Sequence, residues 1–190
     1  MRFFTSIAAA ALCFVANIQA APAASAISTN PNQILELHNK FRSQHSAPPL
    51  KWSETLAQFA QDWSNRCEFA HSGSDVSALS CDGLLLTPPN PLMLIYNEKY
   101  GENIAAGYRD WEQVITAWYN EEKNYDYNDN SMHHATASDF TQLVWVRTTQ
   151  VGCGVSDCQL HPIYTCFYDP PGNYMGEFGE NVFPKKELPR

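Results

Sequence analysis

Three ionisable residues lie at positions where apolar neighbours would draw them toward the interior. Glu121 follows Val114 by seven residues on the apolar face of a predicted helix, and Glu102 directly precedes an apolar, strand-like run. His71 comes just after the end of another predicted helix. Buried carboxylates are rare unless they are paired, hydrogen-bonded or metal-bound, so this set is typical of a paired-charge or metal site. Taken singly, each has a competing interpretation, with the glutamates in solvent and the histidine purely structural.

Helices must position these residues, and three are predicted from apolar periodicity and capping signals. The first runs over 31–45 after Asn30, with proline at its first turn. The second follows Ser53 and ends near residue 66. The third starts at Asp110, with Gln113 in the capping-box position.

Strands are predicted in the second half of the chain. Segments 143–147, 150–155 and 163–168 are rich in β-branched and aromatic residues, and one more strand is expected between 100 and 108. Helices that come first and strands that come later indicate an α+β layered domain with an antiparallel sheet.

Residues 72–100 form a long segment that is broken by glycine and proline but is unusually apolar. A loop of this length in a compact domain is commonly functional or disordered, and its apolar character argues against simple disorder. Its candidate ligand-binding residues are Leu84, Leu85, Leu86, Leu92, Met93, Leu94, Ile95 and Tyr96.

The first twenty residues have the layout of a secretory signal peptide, with Arg2 followed by an apolar run and cleavage after Ala20 or as late as Ala26. We therefore expect a secreted, extracellular protein with no transmembrane segment, a leader over 21–30 and a single domain over 31–190. Without Arg2 the chain has 11 basic and 20 acidic residues, a net charge of −9, which argues against a nucleic-acid partner.

Five cysteines remain once Cys13 leaves with the signal peptide, so one is expected to be unpaired. The tentative disulfides are Cys67–Cys153, at the sheet edge, and Cys158–Cys166, across a short connection between strands. Cys81, in the apolar segment, is then unpaired. Sequence alone does not choose among the three connectivities of four cysteines.

Four ordered motifs resemble those of the CAP superfamily, which comprises cysteine-rich secretory, antigen-five and pathogenesis-related proteins. The segments 140–145 with 151–154, and 166–174, are similar to its two signatures, and 101–104 and 38–42 match two further motifs. The details are most similar to fungal lipid-exporting members. This resemblance implies an α-β-α sandwich with a three- to four-stranded antiparallel sheet flanked by helices.

The resemblance also implies a central cleft with a tetrad of two histidines and two glutamates, which binds zinc in some members. The tetrad maps to His71, Glu102, Glu121 and Asp139, where the last position departs from the family's histidine. One imidazole with three carboxylates suits zinc poorly, so no cofactor is expected to be required, and any divalent metal would use these four residues. His133 and His134 could substitute but fall in a polar stretch.

The leading hypothesis is a non-catalytic carrier of single small apolar molecules, a sterol or a fatty acid, with the 72–100 segment as its binding element. That segment resembles the sterol-capturing loop of the fungal relatives but is longer. Its leucines could instead fold back as ordinary core. The alternative is a defence or virulence protein that recognises a protein partner through this loop, and a protease-like hydrolase is third because no nucleophile with an oriented base is evident.

Overall fold

A computed structural model of the chain describes residues 27–72, 99–128 and 135–186. Several sequence predictions lie outside these ranges: the signal peptide, the eight apolar residues of the 72–100 segment, Cys81, His133 and His134. Within them, none of the helices is long and apolar enough to cross a membrane.

The three predicted helices are confirmed, together with their caps. Asn30 accepts hydrogen bonds from two first-turn amides, Ser53 accepts from Leu56 N, and Asp110 accepts from Gln113 N. Each cap satisfies amides that a helix leaves without an internal partner. The helices of the described residues are α1 Pro31–Gln44, α2 Glu54–Ser64, α3 Trp111–Asn120, α4 Ser138–Val144 and α5 Phe178–Asn181, with 3₁₀ turns at Glu121–Asn124 and Ala135–Ala137.

The described strands form one four-stranded sheet in the order β1-β3-β4-β2. Their bounds are β1 Lys51–Trp52, β2 Gly101–Ala106, β3 Gln150–Ser156 and β4 Ile163–Asp169. The last two form an antiparallel hairpin and β2 pairs antiparallel with β4, as expected. The expectation of a wholly antiparallel sheet is wrong, because β1 runs parallel to β3 through Lys51 opposite Gln150. This short strand follows the loop after α1 and lies at the edge of the sheet, parallel to β3.

Helices cover both faces of the sheet, so the predicted α-β-α sandwich is confirmed. Alternate residues of β4 divide between two cores: Tyr164 and Tyr168 pack with α1, α3 and α4, whereas Ile163 and Phe167 pack with α2. This alternation is the two-residue period of a strand that is buried on both faces.

Two glycines of β3 allow α2 to lie directly on the sheet. A Cβ at Gly152 would lie 2.2 Å from Ala57 N, and one at Gly154 would lie 2.3 Å from Gln61 N. Both contacts are with helix backbone, which cannot move aside as a side chain would. The Val-Gly-Cys-Gly motif is therefore explained by the close packing of α2.

The predicted strand over 143–147 is wrong, because Leu143 and Val144 complete α4 instead. The buried guanidinium of Arg42 donates at 2.9 Å to the carbonyls of both Leu143 and Trp145. A cation at the last carbonyls of a helix complements its dipole and satisfies acceptors that the helix leaves open. The apolar pattern could not distinguish this short buried helix from a strand.

The tentative disulfide pairing is also wrong. Cys153 is bonded to Cys166, and Cys67 is bonded to Cys158. The hairpin register places Cys153 directly opposite Cys166, which leaves Cys158, beyond the end of β3, for the cysteine that follows α2. Register is a tertiary property, so the sequence had left the three connectivities open.

Replacement of Arg42 by methionine tests whether its guanidinium holds these segments together. It also donates to Pro48 O at 2.7 Å and Thr148 O at 2.9 Å, so the change leaves four carbonyls without this donor. We expect a loss of at least about 3 kcal/mol in the free energy of unfolding, measured by urea titration. Lys40→Met, at an exposed position of the same helix, should cost less than ~1 kcal/mol. Equal losses in the two variants would contradict this role.

Candidate functional site

Glu102 lies on β2 with its carboxylate almost fully buried and both oxygens engaged. Its Oε1 accepts from His71 Nδ1 at 3.2 Å, and its Oε2 accepts from Ser72 N at 3.0 Å and from the Ser72 hydroxyl. The side chain is 5% exposed, whereas that of His71 is 59% exposed. Glu102 therefore ties the end of the segment after α2 to the edge strand of the sheet.

His71 is brought to Glu102 by the short segment that leaves α2. Trp63 Nε1 donates to Ala70 O at 2.9 Å, and the disulfide to Cys158 anchors Cys67 at the start of the segment. The hydrogen bond to Glu102 raises the pKa of His71 above its usual value, against the opposing effect of burial. His71 and Glu102 thus form a charge-assisted pair when the imidazole is protonated.

Glu121 lies at the C-terminal end of α3 and caps the neighbouring helix α4. Its Oε2 accepts from Asp139 N at 3.0 Å and Phe140 N at 3.3 Å. Residue Ala137, at the N-cap position of α4, has no side chain that could serve, so Glu121 supplies the acceptor from another helix. Burial raises the pKa of Glu121, and the two backbone hydrogen bonds partly offset this rise. The expectation of a glutamate turned to solvent does not hold.

Asp139 is the tetrad residue whose carboxyl group receives no hydrogen bond from the described residues. Burial, followed by the negative charge of Glu121, raises the pKa of Asp139 to about 8; His71 opposes this rise and Glu102 adds to it. The side chain is therefore mainly a neutral carboxylic acid near pH 7. Its backbone carbonyl accepts from Asn103 Nδ2 at 3.0 Å, which links α4 to β2.

The structure brings the four tetrad positions into one electrostatic neighbourhood but arranges them as two separate hydrogen-bonded units. One unit joins His71 and Ser72 to Glu102, and the other joins Glu121 to the first amides of α4. Among the described residues, no group of three or more His, Cys, Asp and Glu could hold a metal ion. Glu102 already accepts three hydrogen bonds and the pKa of Asp139 is raised to about 8, so one imidazole with these carboxyl groups suits zinc poorly.

The described contacts of Ser72 differ from those of a serine nucleophile. The Ser72 hydroxyl donates to Glu102, and His71 Nδ1 faces that same carboxylate. A catalytic serine needs its hydroxyl against the histidine, with the acid on the opposite ring nitrogen. Ser72 was not predicted from the sequence as a residue of the site, although it directly follows His71.

A second histidine, His38, was identified from the sequence only as part of the 38–42 motif. Its Nδ1 donates to Ile34 O at 2.8 Å, so its Nε2 accepts from the Tyr168 hydroxyl at 3.0 Å. Burial lowers the pKa of His38 to about 4 and raises that of Tyr168, which also senses the charge of Asp139. This neutral pair joins α1 to the sheet beneath the cleft, and no local sequence signal predicts it.

Comparisons with known proteins agree with this architecture. The family described as "CAP: Cysteine-rich secretory protein family" matches residues 35–168. The secreted protein RBT4 of Candida albicans is 36% identical over 151 residues, covering 76% of this chain and 36% of its own. The basic form of pathogenesis-related protein 1 of Nicotiana tabacum is 31% identical, covering 100% of this chain and 98% of its own. The chain spans only about a third to a half of the length of RBT4 and two further fungal relatives that it matches.

Solved structures share the fold at lower identity. NaASP2, solved with Zn2+, has a TM-score of 0.60 at 22% identity and covers 88% of this chain and 92% of its own. Venom allergen-like protein 4 of Schistosoma mansoni has a TM-score of 0.56 at 22% identity and covers 85% of this chain and 97% of its own. The fold and the family match define the class, and this chain belongs to the CAP family.

Replacement of Asp139 by asparagine should stabilise the protein increasingly as the pH rises. The folded-state pKa lies above the unfolded value of about 3.9, so the native carboxyl must lose its proton at a cost as the pH rises from ~4 to ~8. Asparagine avoids this cost. We expect the difference in the free energy of unfolding between variant and wild type to be near zero at pH 4 and to reach several kcal/mol by pH 8. Asp157→Asn, at an exposed position, is the control, and a difference that does not grow with pH would refute the prediction.

Addition of zinc or of a chelator tests directly whether the cleft binds a metal ion. Because Glu102 and Glu121 accept hydrogen bonds from the protein and position 139 is an aspartate, neither EDTA nor added zinc should move the Tm of the wild-type protein. Asp139→His restores a second imidazole and should raise zinc affinity, as measured by calorimetry. Saturable zinc binding by the wild type that disappears in His71→Ala would show that the cleft does hold metal.

Proposed function

We propose that this protein is a secreted carrier of a small apolar molecule, a sterol or a fatty acid, which it binds without catalysing a reaction. Residues 1–20, or 1–26, are removed as a signal peptide, and 31–190 act as the single binding domain. Relatives named as secreted proteins, including RBT4 of Candida albicans, support the extracellular location.

One observation carries the proposal: the apolar segment leaves and re-enters the fold at the same place. Ser72, the last described residue before it, hydrogen-bonds to Glu102, only a few residues after the chain returns at Lys99. A long segment whose ends are tied together is typical of a compact functional loop. This one contains eight large apolar side chains within 84–96.

The apolar content of the segment is sufficient for ligand capture. Burial of half of these side chains against a ligand would contribute about 6 to 12 kcal/mol before ordering costs, at ~1.5 to 3 kcal/mol each. A dissociation constant of 1 μM corresponds to about 8 kcal/mol. Micromolar binding therefore needs only part of the loop.

The charge of the chain favours capture of a single lipid molecule over docking to a membrane. Its sequence has 20 acidic and 12 basic residues, and an anionic leaflet repels such a surface.

Replacement of Leu84, Leu85 and Leu86 by serine tests the proposal. We expect the intact secreted protein to bind radiolabelled palmitate or cholesterol, and the triple variant to bind at least ~10-fold more weakly because each lost leucine removes apolar contact. Leu160→Ser, in the connection between β3 and β4 where the side chain is 90% exposed, is the control and should bind normally.

Two results would count against the carrier function. If the intact protein binds neither lipid and mass spectrometry finds none in extracts of it, the recognition of a protein partner becomes the better explanation of the loop. If the triple variant binds as tightly as Leu160→Ser, the ligand lies elsewhere in the domain.

A further inference from the structure

The two disulfides lie in contrasting environments. Cys153 and Cys166 are 1% and 0% exposed, between the central strands of the sheet. Cys67 is exposed and Cys158 is half-buried, at the end of α2. Thiol–disulfide exchange requires an attacking thiolate to reach a sulfur atom, so the second disulfide is far more accessible to a reductant.

The backbone at Cys67 adds a second distinction. This residue has φ of +58°, in the left-handed region that side-chain-bearing residues seldom adopt. Its amide donates to Ser64 O, and the bond to Cys158 is the covalent constraint on it, just after the final turn of α2. Once that bond is broken, the backbone is free to return to a more favourable conformation.

Cys67 anchors the start of the next five residues, which Trp63 Nε1 also holds through Ala70 O. They end at His71 and Ser72, whose bonds to Glu102 form one of the two units of the cleft. The other unit, Glu121 with the first amides of α4, is built from elements that neither disulfide joins.

We propose that the Cys67–Cys158 disulfide is a redox-sensitive fastening of the cleft. A dithiol reduces this disulfide before it reduces Cys153–Cys166. The reduction releases His71 and Ser72 from their hydrogen bonds to Glu102. This device does not depend on lipid binding. It makes the His71 side of the cleft conditional on an oxidising environment, while the Glu121 side is independent of it.

The reaction is an ordinary two-electron exchange. A thiolate of the external dithiol attacks one sulfur of the pair and displaces the other as a thiolate, which takes up a proton. The second thiol of the reagent then attacks the mixed disulfide, releases the remaining cysteine and becomes a cyclic disulfide. The protein gains two electrons and two protons, and the dithiol is oxidised.

Graded reduction tests the order of opening. Cys81→Ser removes the remaining cysteine of the 31–190 domain, and dithiothreitol at rising concentrations is followed by N-ethylmaleimide and peptide mass spectrometry. We expect Cys67 and Cys158 to be labelled at a dithiothreitol concentration at least tenfold lower than the concentration at which Cys153 and Cys166 are labelled. Simultaneous labelling of all four, or earlier labelling of the buried pair, would overturn the proposal.

Amide hydrogen exchange tests the structural consequence in the same partially reduced protein. The Ser72 amide, which donates to Glu102, should exchange at least tenfold faster than in the oxidised protein and should recover on reoxidation. The amides of Asp139 and Phe140, which donate to Glu121, are the internal control and should be unchanged. The double variant Cys67→Ala/Cys158→Ala should reproduce this pattern without reductant. Unchanged exchange at Ser72, or equal acceleration at all three amides, would contradict the fastening role.

Discussion

A fully buried guanidinium, that of Arg42, holds the domain together through four backbone carbonyls. They belong to Pro48, Leu143, Trp145 and Thr148, which come from two separate stretches of chain, the loop after α1 and residues 143–148. Burial lowers the pKa of Arg42 only to about 10, so the group stays charged and its need for acceptors is strict. The loop after α1, the end of α4 and the approach to β3 therefore cannot separate without exposing an unsatisfied cation.

Helix α4 is too short to be stable alone and is held at both ends by charges from other elements. Arg42 is bonded to carbonyls at its C-terminal end, and Glu121 is bonded to the amides of Asp139 and Phe140 at its N-terminal end. The two charges have the signs that complement a helix dipole. This double fastening explains why Leu143 and Val144 are helical although their apolar pattern suits a strand.

The same demand for hydrogen-bond partners decides what the cleft can do. Glu102 and Glu121 accept hydrogen bonds from donors of the protein itself. Burial and the negative charge of Glu121 raise the pKa of Asp139 to about 8, so its carboxyl group is mainly neutral near pH 7. Glu102 holds the residues that follow α2 against β2. Glu121 caps the start of α4, whose other end is bonded to Arg42.

Local rules were enough for much of this protein. Periodicity and capping predicted α1, α2 and α3 with their caps, and β-branched and aromatic composition predicted β3 and β4, because each depends on neighbours within a few residues. Ordered motifs predicted the family. The pairing of Cys67 with Cys158, the parallel β1 and the partners of Glu121 required the tertiary structure. These features join residues far apart in sequence, and which of several compatible partners meet is decided only when the layers pack and the strand register is set.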